Sequence, residues 1–241
     1  MTTGENKPFA VFDIDGTVIR WQLYHAVVNQ LLKQGDIPRE IGDEIHEARM
    51  AWKRRTSDDS FQDYETVLVS AYNDALTNLA PASVNQATHI VFEEYKDQVH
   101  AYTRNLMQGL RTKGYLLFAI SGSPQDIVSR FGEYYGFDEA VGQNFEQKRG
   151  KYTGSHTTGF LHKDEVLREL MTKRKVTTEG SVGVGDTEGD AAMLQMVEQP
   201  IAFNPTQGLA AIAKAHGWPI VVERKNTIYE LEYRNGSYVL A

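Results

Sequence analysis

The chain has 241 residues, 41% hydrophobic and 24% charged, with 20 Gly, 7 Pro and no Cys. The missing cysteine excludes disulfides, thiolate metal sites and a cysteine nucleophile, and the length gives room for one large or two small domains with a real core. With 25 basic against 32 acidic residues the net charge is −7, a poor match to nucleic-acid backbones or anionic membrane surfaces. No apolar run approaches the roughly 20 residues that span a bilayer. The segment before the first strand, Met-Thr-Thr-Gly-Glu-Asn-Lys, has no signal-like apolar stretch, so the expectation is a soluble, cytoplasmic protein.

Pro8 to Ile14 is a short apolar run rich in strand formers, stopped by Asp15-Gly16. It predicts a buried strand and a turn. Residues 116–120 and 181–185 repeat the pattern, the first stopped by Ser121-Gly122-Ser123-Pro124 and the second by Asp186. Shorter strands are expected at 201–203 and 220–222, and a weaker one near 139–143. Helical stretches fall between them at 125–135, 163–175, 190–197 and 207–215. Apolar strands alternating with helices predict a Rossmann-like parallel sheet covered on both faces, an α/β fold.

Residues 21–105 break that alternation and read as four helices, near 21–34, 38–54, 59–78 and 83–107. The spacings Ile41, Ile45, Ala48, Trp52 and Phe61, Tyr64, Leu68, Ala71, Tyr72 fit an amphipathic bundle. The predicted organisation is an α/β core at 1–20 and 106–223, a helical cap at 21–105, and a hairpin-like tail at 224–241. The tail prediction rests on alternating residues around Asn235-Gly236. The cap region holds 8 Lys or Arg against 13 Asp or Glu, so much of the acidity lies there.

Asp13-Ile14-Asp15-Gly16-Thr17 carries the most chemistry. Residues two apart in extended chain share a face, so Asp13 and Asp15 can enter one crevice at the carboxyl end of a strand. One carboxylate can act as nucleophile and the other as general acid and base; the alternative is an ordinary Asp-Gly turn. An EF-hand fails, because Val18 holds its glycine position and Tyr24 its glutamate position. In Val182-Gly183-Val184-Gly185-Asp186-Thr187-Glu188-Gly189-Asp190 a strand again ends at an acid, with a second acid four residues on, oxygen ligands that suit Mg²⁺. A dinucleotide fingerprint fails at Glu188, and a Walker loop fails at Phe145 and Tyr152. Ser121-Gly122 is a candidate anion cradle or a simple helix cap. Lys163, at a helix start where a cation is disfavoured, is a candidate charge partner, with Lys148, Arg149 and Lys151 as rivals. His25, His46, His89 and His100 form no metal-ligand pair.

The ordered set Asp-x-Asp, Ser, Lys, Asp-x-x-x-Asp resembles the haloacid dehalogenase-like superfamily, in particular its phosphoserine-phosphatase-like branch, over nearly the whole chain. The run Ile201 to Pro205, the helix after it and Gly217-Trp218-Pro219 look like the tail of that branch. The resemblance implies a Mg²⁺-dependent phosphatase of a small phosphorylated metabolite, with a cap that closes over the substrate. Asp13 would form an aspartyl-phosphate, and Asp15 would protonate the leaving alcohol and then activate water. Asp13, Asp186 and the main-chain carbonyl of Asp15 would hold the metal, and Asp190 would orient a metal-bound water or Lys163 from behind. Ser121, Gly122 and Lys163 would bind the phosphoryl group. Trp21, Gln22 and Tyr24 are candidates for contacting the leaving group, Trp21 and Tyr24 having bundle packing as their alternative role. Gln22 replaces the glutamate usual in that branch, Gly189 its asparagine and Ser123-Pro124 its second glycine. A phosphotransferase or mutase using the same intermediate, and a non-catalytic phospho-ligand binding module, are the other functions compatible with the residues.

Overall fold

Phe9, Ala10, Val11 and Phe12 form a strand, β1, in which every residue is fully buried. Such a strand has no solvent face, and it sits centrally in a parallel sheet for that reason. The computed structural model describes residues 7–57, 60–156 and 162–241. Asp58 and Asp59, where the third helix of the expected bundle begins, and the segment before Lys7 lie outside the described residues.

The chain divides into two compact units. The first comprises Met1–Trp21, Tyr95–Gln143 and Thr158–Ala241. It holds β1, β2 (Leu116–Pro124), β3 (Glu139–Gln143), β6 (Val182–Gly185), β7 (Gln199–Phe203), β8 (Ile220–Arg224), β9 (Thr227–Arg234) and β10 (Ser237–Leu240). They form one eight-stranded sheet in the order β10-β9-β8-β7-β6-β1-β2-β3. The six strands from β3 to β8 in that order are parallel, and β9 and β10 add on antiparallel. The hairpin expected at the tail is therefore the sheet's edge. Helices α5 (Ala101–Thr112), α6 (Gln125–Tyr135), α7 (Lys163–Arg174), α8 (Ala191–Leu194) and α9 (Gln207–His216) complete the unit. The stretch expected as a helix over 190–197 is a 3₁₀ turn, Glu188–Asp190, followed by the short α8. Phe9 and Phe118 stack at 5.4 Å in a core that continues through Ile120, Leu167, Leu170, Met193, Leu194 and Leu209.

The second unit comprises Gln22–Glu94 and Asn144–Thr157. It contains α1 (Leu23–Gln34), α2 (Arg39–Arg54), α3 (Ser60–Leu76), α4 (Pro81–Tyr95) and a two-stranded hairpin, β4 (Phe145–Lys148) with β5 (Lys151–His156). Tyr64, Leu68 and Tyr72 of α3 are buried as their spacing predicted, and Trp52 stacks on Tyr64.

Two further features differ from the sequence reading. The helix expected over 83–107 is interrupted: residues 98–100 hydrogen-bond to the loop after β1, Arg20 N–H donating to Gln98 and His100 N–H to Val18. These tertiary bonds outweigh the helical propensity of the run, and the first unit accordingly begins again at Tyr95, not at residue 106. The β4–β5 hairpin was not foreseen, and it places 144–157 in the helical unit. Its turn residues Arg149 and Gly150 have φ of 52° and 74°, the left-handed pair that a two-residue hairpin needs. Its strands are mostly exposed and polar, so no apolar periodicity announced them.

His25 of α1 is buried, with its ring 4.7 Å from Tyr64. Burial, helped by the Arg49 charge, pushes its pKa down to about 4. The unfolded chain titrates near 6.5 and binds the proton first, so stability falls as pH drops from about 6.5 to about 4. Replacing His25→Phe should shrink the stability difference between pH 7.5 and pH 4.5, measured by urea unfolding, by about 2–3 kcal/mol.

Candidate active site

The site lies at the carboxyl ends of β1, β2 and β6, inside the first unit. Asp13 follows β1 directly and its N–H continues the pairing to β6 through the Val184 carbonyl, at 3.0 Å. Gly16, with φ of 80°, then turns the chain so that Val18 and Ile19 N–H both donate to the Ile14 carbonyl. Asp186 follows β6, and Asp190 closes the 3₁₀ turn after it. Gly185 is demanded by packing, because a Cβ there would come within 2.5 Å of the Asp190 side chain.

Lys163, the first residue of α7, ties these ends together. Its Nζ donates to Asp13 Oδ1 at 2.7 Å and Asp190 Oδ1 at 2.6 Å. The lysine is 6% exposed and the acids 4% and 0%. Asp190 Oδ2 accepts from the Asp186 and Thr187 N–H groups, each at 3.0 Å. Thr17 Oγ1 donates to Asp186 Oδ1 at 3.1 Å. Asp15 is held from the other side: Ser121 Oγ donates to its Oδ2 at 2.6 Å and Ser123 Oγ to its Oδ1 at 3.0 Å. Ser121 Oγ also accepts the Ser123 N–H at 2.9 Å. Neither serine is a simple helix cap, since α6 starts after Pro124 without a side-chain cap.

Oxygens of Asp13, Asp186 and Asp190 lie within 4.8 Å of one another. Burial pushes Asp13 up to about 7 against the opposing pull of Lys163, with Asp190 and Asp15 adding to the rise. Burial and then the neighbouring Asp13 and Asp190 raise Asp186 well above its ordinary value. Burial works against the Lys163 charge, but Asp13 and Asp190 outweigh it and hold the ammonium. Asp13 Oδ2 is buried without a hydrogen-bond partner. Crowded carboxylates around one lysine, with an unsatisfied oxygen among them, are short of positive charge. An all-oxygen donor set of this kind fits a hard divalent cation.

Asp13, Asp15, Ser121, Lys163, Asp186 and Asp190 are thus brought together, and Gly122 lies between the two serines at the end of β2. The rivals of Lys163 are elsewhere: Lys148, Arg149 and Lys151 are exposed on the β4–β5 hairpin. The leaving-group candidates fall in different units, Trp21 in the first, Gln22 and Tyr24 in the second. Tyr24 is buried edge-on against Tyr72, the packing role weighed for it above. Thr17 and Ser123 were not singled out as functional from sequence. Their signal was available, since Ser123 stands two residues from Ser121 in extended chain and so can share its direction.

The haloacid dehalogenase-like hydrolase family matches residues 10–195. Histidinol-phosphatase of Neisseria meningitidis serogroup C is 23% identical over 89% of this chain and 98% of its own length. Phosphoserine phosphatase of Wolinella succinogenes is 28% identical over 53% of this chain, which spans 57% of that protein. Among solved structures, a Bordetella pertussis protein of unknown function has a TM-score of 0.69 at 17% identity, covering 90% of this chain and 98% of that one. A phospho-aspartyl intermediate analogue of phosphoserine phosphatase has a TM-score of 0.62 at 21% identity, covering 92% and 95%. At such identities these two structures bear on the fold.

Removing the lysine leaves two buried carboxylates facing each other. Lys163→Met should cost about 3–5 kcal/mol of stability in metal-free protein, read by urea unfolding in EDTA.

Proposed function

The chain belongs to the haloacid dehalogenase-like hydrolases, and on the geometry of its buried acids we propose that it is a Mg²⁺-dependent phosphatase of a small phosphomonoester, working through an aspartyl-phosphate on Asp13. The observation that carries the reading is the division of labour between the two acids of the first loop. Asp13 is held by a cation and keeps one oxygen without a partner, as a nucleophile needs. Asp15 is held by two hydroxyl donors that fix its direction, as a proton carrier needs.

Asp13, Asp186 and the main-chain carbonyl of Asp15 would hold Mg²⁺, which would supply positive charge to offset the approach of a carboxylate to a phosphate dianion. Asp13 forms its bond to phosphorus as the phosphorus–alkoxide bond breaks, and the proton of Asp15 goes to the departing oxygen. Asp15, now ionised, takes a proton from water as that water attacks phosphorus, and Asp13 is released with inorganic phosphate. Lys163 stays protonated throughout and offsets charge on Asp13. Asp190 holds it from behind, consistent with a supporting role because both Asp190 oxygens are already engaged. In this reading Ser121 and the Gly122 N–H hold phosphoryl oxygens, Ser121 exchanging its bond to Asp15 for one to substrate.

The relatives name two substrates that share one chemistry. Phosphoserine and histidinol phosphate are both primary phosphate esters with an amine on the neighbouring carbon, and they differ in bearing a carboxylate or an imidazolylmethyl group there. We take this class of ester as the first to test. Phosphate release should be measured over phosphoserine, histidinol phosphate, phosphocholine, sugar phosphates and nucleoside monophosphates, with and without Mg²⁺. The proposal expects turnover of at least one ester with Mg²⁺ and none in EDTA. Asp13→Asn should fold normally and lose at least about 10³-fold in kcat; a variant as active as wild type would overturn the assignment of the nucleophile. Saturating Mg²⁺ should raise Tm of the wild type by about 3 °C and leave Asp186→Asn nearly unmoved, followed by differential scanning fluorimetry.

A further inference from the structure

The loop over 14–20 carries both Asp15 and Thr17, and something must hold it rigid. Within the loop, Gly16 N–H donates to Ile19 and Trp21 carbonyls. Beyond it, the support comes from the segment that leads into α5. His100 N–H donates to the Val18 carbonyl at 3.0 Å, Arg20 N–H to Gln98 at 2.8 Å, and Ile19 bridges to Val99. The fully buried Thr103 donates its hydroxyl to the Thr17 carbonyl at 3.0 Å.

That segment is anchored by a residue far along the chain. Helix α5 has no acid in its first turn, and His100 at its N-cap offers no side-chain cap. The exposed N–H groups of the turn are taken instead by Glu223, at the carboxyl end of β8: Ala101 N–H donates to Oε1 at 3.1 Å and Tyr102 N–H to Oε2 at 2.8 Å. His100 Nδ1 stands 3.4 Å from the same Oε1. The Glu223 side chain is only 5% exposed. A buried carboxylate whose two oxygens each accept a backbone N–H, at a helix start where negative charge is favoured, is a strong and directional tie. The Glu223 backbone is itself pinned, its N–H donating to Asn204 Oδ1 at 2.8 Å.

We propose that Glu223 is a positioning residue for the reaction, acting through His100 and the first turn of α5 on the loop that carries Asp15 and Thr17. The inference rests on the phosphatase reading above for what the loop does, and on geometry alone for what holds it. Nothing in the sequence points to Glu223, which is more than 200 residues from Asp15. Its effect is expected on the chemical step, because a displacement of about an ångström at a proton carrier can cost on the order of 10²-fold in rate while leaving ground-state binding nearly unchanged.

The test compares Glu223→Ala and Glu223→Gln with wild type, by steady-state kinetics on the best ester and by amide hydrogen exchange. Glu223→Ala should free the Val18, Ile19 and Arg20 amides about 10-fold or more while leaving those of β1 and β2 protected. Its kcat should fall by about 10–100-fold with KM within about 3-fold. Glu223→Gln keeps one acceptor oxygen and should recover part of kcat and part of the protection, and it serves if the alanine variant does not fold. Loop amides as protected as in wild type would overturn the proposal, as would freed amides with unchanged kcat. So would a loss of kcat accompanied by exposure of β1 and β2, which marks general loosening. A wild-type protein inactive on every ester would overturn the phosphatase reading instead, and exchange alone would then decide whether Glu223 holds the loop.

Discussion

One lysine stands between two carboxylates that have no water to face. Lys163 Nζ reaches Asp13 and Asp190 together, and all three side chains are withdrawn from solvent. Burying an ion is expensive, and burying several of one sign is untenable without a counter-charge. The ends of β1 and β6 and the start of α7 are therefore bound by charge as well as by packing. Asp190 shows the linkage most fully: one oxygen accepts from the lysine, and the other orders the turn that carries Asp186.

The parallel sheet makes this convergence possible. Six strands run the same way, so the residues that follow β1, β2 and β6 emerge along one edge. β1 lies between β2 and β6, which places Asp13 between the serines on one side and Asp186 on the other. The apolar strands supply the stability, and the polar ends, deprived of water but kept near one another, supply the chemistry. The acidic balance of the whole chain is not a uniform coat of negative charge at the site, because Asp13 and Asp190 there share the Lys163 ammonium.

The strands and the site motifs could be read early because their signals are local. Apolar runs stopped by Asp13-Ile14-Asp15-Gly16 and by Asp186 reveal both the strand and the carboxylates at its end. Lys163 could be named through the resemblance, but its distinction from Lys148, Arg149 and Lys151 is a matter of burial. The split of the expected fourth helix was hidden, since residues 96–107 look helical and only pairing with the loop after β1 keeps 98–100 extended. The β4–β5 hairpin was hidden for the opposite reason: polar, exposed strands carry little periodicity.

The amino-acid order was sufficient for the α/β alternation, the inserted helical region, the hairpin at the end and the acids that follow the strands ending at Phe12 and Gly185. These depend on periodicity and on short motifs, which act over a few residues. Folding in three dimensions was needed to show that 144–157 joins the helical unit, that Thr17 and Ser123 bond to the site's acids, and that α5 takes its cap from Glu223. Each of these is a contact between segments distant in sequence, where hydrogen-bond partners are chosen by packing and burial rather than by spacing along the chain.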